Sequence, residues 1–299
     1  MNKKYRLLSL LLCAVLLAGI LPAVAAPAAQ AAENDGWIAT WSTSLVDPSV
    51  SIAGVNFQDV IPINSTLRTE IIVTTSGSKL RFTFSNEYGR TPLTINGASV
   101  ARTDGQYEAK IVNGTQTAIT FGGGASVVIP AGQRAVSDAI PFETKALDKL
   151  SVSTFIEHTY YISSAGLSNG RTYMNADGFL IGKSRINEPS LSNSMEISLG
   201  SGTITYHTIP FLEEIDSYSD DPQASCAVFI GDSTLVNDTY LDYARRVVSA
   251  GRDNISIINK AIIGNKLLSN GTGIIGKLYG DAMIDRFKKD VLEVSGVKY

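Results

Sequence analysis

The chain has 299 residues, of which 44% are hydrophobic and 18% charged, with a formal net charge of −3. That length exceeds one ordinary core and suits two domains, and an acidic balance without a basic patch argues against nucleic acid as a partner. The two cysteines, Cys13 and Cys226, are too few for a disulfide framework.

At the N-terminus, Lys3, Lys4 and Arg6 precede an uncharged apolar run from Leu7 to Ala26, followed by Pro27 and the small-x-small site Ala29-Gln30-Ala31. This pattern predicts a secretory signal peptide over residues 1–31 and a secreted, extracellular mature chain starting near Ala32. An uncleaved membrane anchor is the alternative, but Gly19 and Pro22 interrupt the run. Removing the three cations takes the formal net charge from −3 to −6 and leaves no segment directed at a membrane. Cys13 goes with the signal, so no internal disulfide is expected and stability must come from packing. Cys226 reads as a buried, inert thiol.

From Trp37 to about Leu212 the pattern is of strands and turns. Leu80, Phe82 and Phe84 alternate along 79–85, and Leu150, Val152, Thr154 and Ile156 along 150–157; a period of two predicts one buried face on each. A further strand is expected over 66–74. Turn clusters at Ser76-Gly77-Ser78, Asn96-Gly97, Asn113-Gly114 and Gly122-Gly123-Gly124 separate such runs. Short strands at this spacing predict an all-β, jelly-roll-like sandwich over 32–212. The triple glycine opens no helix, so it reads as a turn rather than a phosphate cradle.

Residues 213–224 are rich in Glu, Asp and Ser and read as a polar linker. Beyond it the pattern alternates strand and helix over 225–299. A strand ends at Ile230, and a helix over 239–250 presents Leu241, Ala244, Val247 and Val248, with Asn237 or Asp238 as N-cap and Gly251 as the stop. A second strand covers 255–259, and a helix over 281–291 places Ile284, Phe287 and Val291 on one face. Such alternation predicts parallel strands with crossover helices.

The apolar run Ala227-Val228-Phe229-Ile230 stops at Gly231-Asp232-Ser233. In open α/β sheets the carboxyl ends of strands face the ligand, so Ser233 is a candidate nucleophile. If the strands ending at Ile230 and Asn259 are parallel neighbours, Gly264 lies beside Ser233. The Gly264 backbone N–H and that of Ser233 then suit the oxyanion formed when a carbonyl is attacked. A glycine needed only for a turn explains Gly264 equally well.

Gly231-Asp232-Ser233, Arg245-Arg246-Val247, Ile258-Asn259 with Gly264-Asn265-Lys266-Leu267-Leu268, Asp285-Arg286-Phe287 and Asp290-Val291-Leu292 resemble the SGNH hydrolases, also called GDSL esterases/lipases. The upstream half, through Thr40-Trp41-Ser42-Thr43-Ser44, Thr66-Leu67-Arg68, Ser85-Asn86-Glu87-Tyr88-Gly89 and Ser137-Asp138, is similar to the β-sandwich that precedes this domain in a secreted bacterial branch. The resemblance implies a flavodoxin-like α/β domain with a parallel sheet, here incomplete, and Ser233 as nucleophile with Gly264 in the oxyanion hole. Asp232 would be structural. The family's Gly-x-Asn-Asp segment and C-terminal Asp-x-x-His do not occur in this sequence, which stops where a third strand is expected to begin, so a fragment of a longer protein is expected.

Neither His158 nor His207 has an aspartate three residues before it, and both read as structural or surface residues, with His158 as a weak candidate for substrate contact. No His/Cys/Asp cluster has metal-ligand spacing, and no cofactor is expected. Trp37, Trp41, Tyr88, Tyr107, Tyr160, Tyr161 and Tyr173 suit either core packing or a sugar-stacking surface. The expectation is a secreted serine ester hydrolase acting on O-acyl esters of small molecules or polysaccharide, acetyl groups included. Its rival is a catalytically inactive chain acting through a carbohydrate-binding β-sandwich.

Overall fold

Alternation of large apolar and polar residues builds the first sheet of the computed structural model, which describes residues 35–49, 51–52, 55–56, 59–186, 207–236, 239–273 and 275–299. The expected signal segment 1–31 and the N-cap candidates Asn237 and Asp238 lie outside the described residues. The main strands are β1 (Trp37–Ser42), β2 (Ser65–Ile72), β3 (Gly77–Ser85), β4 (Gly97–Arg102), β5 (Thr117–Ile119), β6 (Arg134–Val136), β7 (Ile140–Thr144), β8 (Lys149–Ile156), β9 (Arg171–Asn175), β10 (Leu212–Tyr218), β11 (Ser225–Phe229) and β12 (Ile255–Asn259). One antiparallel sheet runs β1-β10-β3-β6, with β7 also paired to β3; the other runs β9-β2-β8-β4-β5. Leu80, Phe82 and Phe84 of β3, Trp41 of β1 and Ile215 of β10 share one apolar core with Leu67 and Ile71 of β2 and Leu150, Val152 and Ile156 of β8.

The second face of β8 departs from the expected period. Ser151 and Ser153 are as buried as their apolar neighbours, because two loops fold over the outside of that sheet and a polar spine on β2 holds them there. Thr66 Oγ1 donates to the Gly178 carbonyl at 2.7 Å. The fully buried Arg68 donates from Nε to Ser153 Oγ at 3.0 Å, from Nη1 to the Ala109 carbonyl at 2.9 Å and from Nη2 to the Lys183 carbonyl at 2.8 Å. Glu70 accepts from the Tyr107 and Ala109 amides at 2.5 and 2.7 Å. Those two residues have φ of +58° and +53°, a conformation L side chains rarely adopt, so the carboxylate holds a strained turn in place. Burial draws the Arg68 pKa down to about 10, against the charge of Glu70, so the guanidinium stays protonated at neutral pH.

The residues from 225 onward correct the expected fold. The described residues are mostly strands in antiparallel sheets, with two short α-helices, α1 (Thr239–Ser249) and α2 (Met283–Phe287). No flavodoxin-like α/β domain is formed. The parallel element is the pair β11–β12, in register from Ser225↔Ile255 to Phe229↔Asn259. A single parallel bridge joins Cys226 to Val297. This pair is too small to bury both its faces alone, and it packs on the sandwich: Ile38 and Ala39 of β1 form one apolar cluster with Cys226, Ile258 and Val294. Ser256 Oγ donates to the Ala39 carbonyl at 2.5 Å. Residues 34–299 accordingly form one compact unit.

Two further segments differ from expectation. The acidic stretch read as a linker begins as β10, a strand inside the first sheet. Two of its acids are buried and paired: Asp216 meets Arg81 at 2.7 Å and Glu213 meets Arg134 at 3.3 Å. The helix expected over 281–291 is α2 followed by one π-helical turn, and it is turned the other way round. Ile284 and Phe287 are exposed, whereas Arg286 and Asp290 are buried and paired at 2.7 Å.

Arg68→Met leaves the Ala109 and Lys183 carbonyls and the Glu70 carboxylate without their buried cation, and is expected to lower unfolding stability by about 3 kcal/mol or more. Urea unfolding of the two proteins measures this, and a loss below about 1 kcal/mol would contradict the role given to the spine.

Candidate active site

Backbone pairing brings the two candidate loops side by side. Past the last strand pair, the Lys260 amide donates to the Phe229 carbonyl at 2.7 Å and the Ile262 amide to the Gly231 carbonyl at 3.1 Å. Ser233 and Gly264 each lie two residues beyond that last bond. Gly264 has φ of +70°, and a Cβ there would fall 2.5 Å from the Tyr279 ring, so glycine is required both by conformation and by space.

On the Ser233 side, Asp232 turns the chain. Its Oδ1 accepts from the Thr234 amide at 2.9 Å and its carbonyl from the Leu235 amide at 3.1 Å. The bonds from Thr234 hold the carboxyl below its ordinary range, which fits the structural role expected of Asp232. Ser233 is exposed at the tip of this turn. Among the described residues, neither the Ser233 nor the Gly264 amide donates a backbone hydrogen bond.

Side chains from the sandwich brace these loops. Asn259, fully buried at the end of β12, donates from Nδ2 to the Leu235 carbonyl at 2.8 Å and to Asn169 Oδ1 at 3.1 Å. Asn169 (φ +76°) donates to the Ser42 carbonyl at 2.8 Å, and its own carbonyl accepts from Trp41 Nε1 at 2.7 Å. A second brace starts at Ser44, whose Oγ has two acceptors for its one proton, Asp290 Oδ2 at 2.8 Å and the Lys260 carbonyl at 2.9 Å. Arg286 sits beside it, with Nη1 on the Lys260 carbonyl at 2.7 Å and Nη2 on Asn265 Oδ1 at 2.9 Å and the Gly231 carbonyl at 3.5 Å. Trp41 is thus a core and bracing residue rather than a sugar platform.

No protein-family model matches the chain, and no curated protein matches it. The functional reading therefore rests on the residues themselves. Ser233 and Gly264 lie on neighbouring loops, joined by the bond from the Ile262 amide to the Gly231 carbonyl. The histidines are not joined to them: no hydrogen bond links His158 or His207 to Ser233 among the described residues. His158 is exposed in the turn after β8, and His207 has a buried Nδ1 without a partner, its pKa lowered by burial and by Arg171. The described residues contain no group of three His, Cys, Asp or Glu side chains placed to hold a metal, and no helix long and apolar enough to cross a membrane.

Beneath the loops, Lys260 is fully buried with Nζ 3.4 Å from Glu214 and within reach of the Thr43 carbonyl at 3.5 Å. Burial alone would lower the Lys260 pKa, but the neighbouring acids, Glu214 where it is ionised and then Asp290 and Glu213, outweigh burial and raise it. Glu214 is pushed up to about 8, chiefly by burial, with Asp216 and Glu213 adding to the effect of burial and Lys260 opposing it. The folded protein then holds a proton on Glu214 that the unfolded chain releases, so this group's contribution declines as pH rises from about 4.5 towards 8. Glu214→Gln removes that dependence. Its stability relative to the parent is expected to increase steadily across the interval, read by urea unfolding at several pH values; a difference that stays constant with pH would contradict the assignment.

Proposed function

We propose that the protein is a serine ester hydrolase of the SGNH type in its site chemistry, secreted, and acting on O-acyl esters of small molecules or polysaccharide. The observation that carries the reading is the Gly231–Ile262 hydrogen bond, which sets the Ser233 and Gly264 loops side by side, with neither the Ser233 nor the Gly264 amide donating a backbone hydrogen bond among the described residues. Ser233 Oγ attacks the acyl carbonyl, the alcohol leaves with a proton, and water releases the acid from the acyl-enzyme. Negative charge developing on the carbonyl oxygen is met by the two amides, which are fixed before the substrate arrives.

The chemistry lacks a general base within hydrogen-bond reach of Ser233 among the described residues. Oxyanion stabilisation and binding alone sustain about 10³-fold acceleration over water in serine hydrolases from which a triad member has been removed, and this is the scale expected of the present chain. The same observation favours a second reading, in which the chain does no chemistry.

Hydrolysis of an aryl acetate by the full chain separates the two. The ester hydrolase reading predicts turnover above the buffer rate that is abolished in Ser233→Ala. Gly264→Ala, which displaces the amide through both its φ and the Tyr279 ring, is expected to reduce turnover by about 10²-fold, the scale for losing one oxyanion donor. Hydrolysis that survives Ser233→Ala unchanged would refute the assignment.

A further inference from the structure

We propose that Arg286 is a positioning residue for the site, setting the separation of the Ser233 and Gly264 amides; the proposal rests on the reading of those two residues given above. Its guanidinium is 5% exposed and bonds to both loops at once. Nη2 reaches the Gly231 carbonyl at the root of the Ser233 turn (3.5 Å) and Asn265 Oδ1 next to Gly264 (2.9 Å). Nε adds a second bond to Asn265 Oδ1 at 3.2 Å. Nη1 takes the Lys260 carbonyl at 2.7 Å, Ser44 Oγ at 3.1 Å and Asp290 Oδ2 at 2.7 Å.

The geometry needs a planar fork. A lysine at this position has one nitrogen and cannot meet acceptors lying on both edges of a guanidinium. Asp290 and Ser44 orient the fork from the far side, and Ser44 belongs to the segment that follows β1, so the sandwich takes part in setting the loops. Asn265 transmits the constraint further: its Nδ2 donates to the Tyr279 and Asp281 carbonyls at 2.8 and 2.7 Å, and Tyr279 is the ring that closes over Gly264. A buried ion pair is a weak device for stability, since well-packed apolar residues serve as well or better. Its placement against Gly231, Lys260 and Asn265 points to control of geometry.

Arg286→Lys keeps the charge and removes the fork. The expected result is an increase of about tenfold or more in amide hydrogen exchange for peptides covering 229–236 and 259–266, with peptides from β2 and β8 unchanged. For Ser233-dependent aryl acetate hydrolysis, kcat is expected to fall by about 10²-fold with KM little altered, the scale of loss when reacting groups are misplaced by about 1 Å. Asn265→Ser provides a second variant that keeps the Arg286–Asp290 pair and breaks only its link to the glycine turn; it should raise exchange in 259–266 more than in 229–236. If the parent protein shows no Ser233-dependent hydrolysis, the ester hydrolase reading fails while the exchange measurement still decides the role of Arg286. Unchanged exchange in both loops, or a rise spread evenly over the whole chain, would overturn the proposal.

Discussion

Burial of two cations, Arg286 and Lys260, is the constraint on which the arrangement depends. Each buried ion costs several kcal/mol in lost hydration unless partners replace the water. Arg286 finds the charge of Asp290 one turn further along, and the other partners come from distant parts of the chain: Glu214 beside Lys260, with the Lys260 and Thr43 carbonyls and Ser44 Oγ as acceptors. Satisfying them requires β1, β10, the end of β12 and the turn after α2 to be in place together. The parallel pair β11–β12 therefore completes its folding environment only against the sandwich, and the loops that carry Ser233 and Gly264 inherit their positions from the same set of contacts.

What was legible in the sequence follows from how local each signal is. The alternation of Leu80, Phe82 and Phe84 reports a buried face because nothing but their own spacing is needed. The helix Thr239–Ser249, with Leu241 and Ala244 buried, and the strand over 255–259 are legible for the same reason. Ser151 and Ser153 mislead, because their burial comes from loops near residues 109 and 183, drawn in by Arg68. The 281–291 segment misleads more strongly. Its apolar residues have helical spacing, but the charged pair four residues apart takes the inside, since Arg286 finds acceptors there from residues up to 242 positions away. Composition misled at 213–224, where acids that look solvent-facing are matched to Arg81 and Arg134 across the sheet.

The site divides in the same way. The neighbouring placement of the loops that carry Ser233 and Gly264 was legible because each loop follows a short apolar strand, and parallel neighbours bring their ends together. Ser44, Asn259 and Arg286 fall inside the quoted motifs and Asn169 in none, but the bracing role of all four shows only in the partners each finds after folding. Asn169 shows this most plainly, since it links Trp41 and Ser42 to Asn259 while adopting a left-handed backbone conformation. The sandwich is in this account a scaffold of the site and shares its fate.

That claim can be tested with probes the chain already has. Both tryptophans, Trp37 and Trp41, lie in β1, while Cys226 is fully buried in β11. In a Cys13→Ser background, urea unfolding followed by tryptophan fluorescence and by the reactivity of the Cys226 thiol should give a single coincident transition. Exposure of Cys226 at clearly lower urea than the tryptophan change would show that residues 225–299 open independently, and would contradict the account.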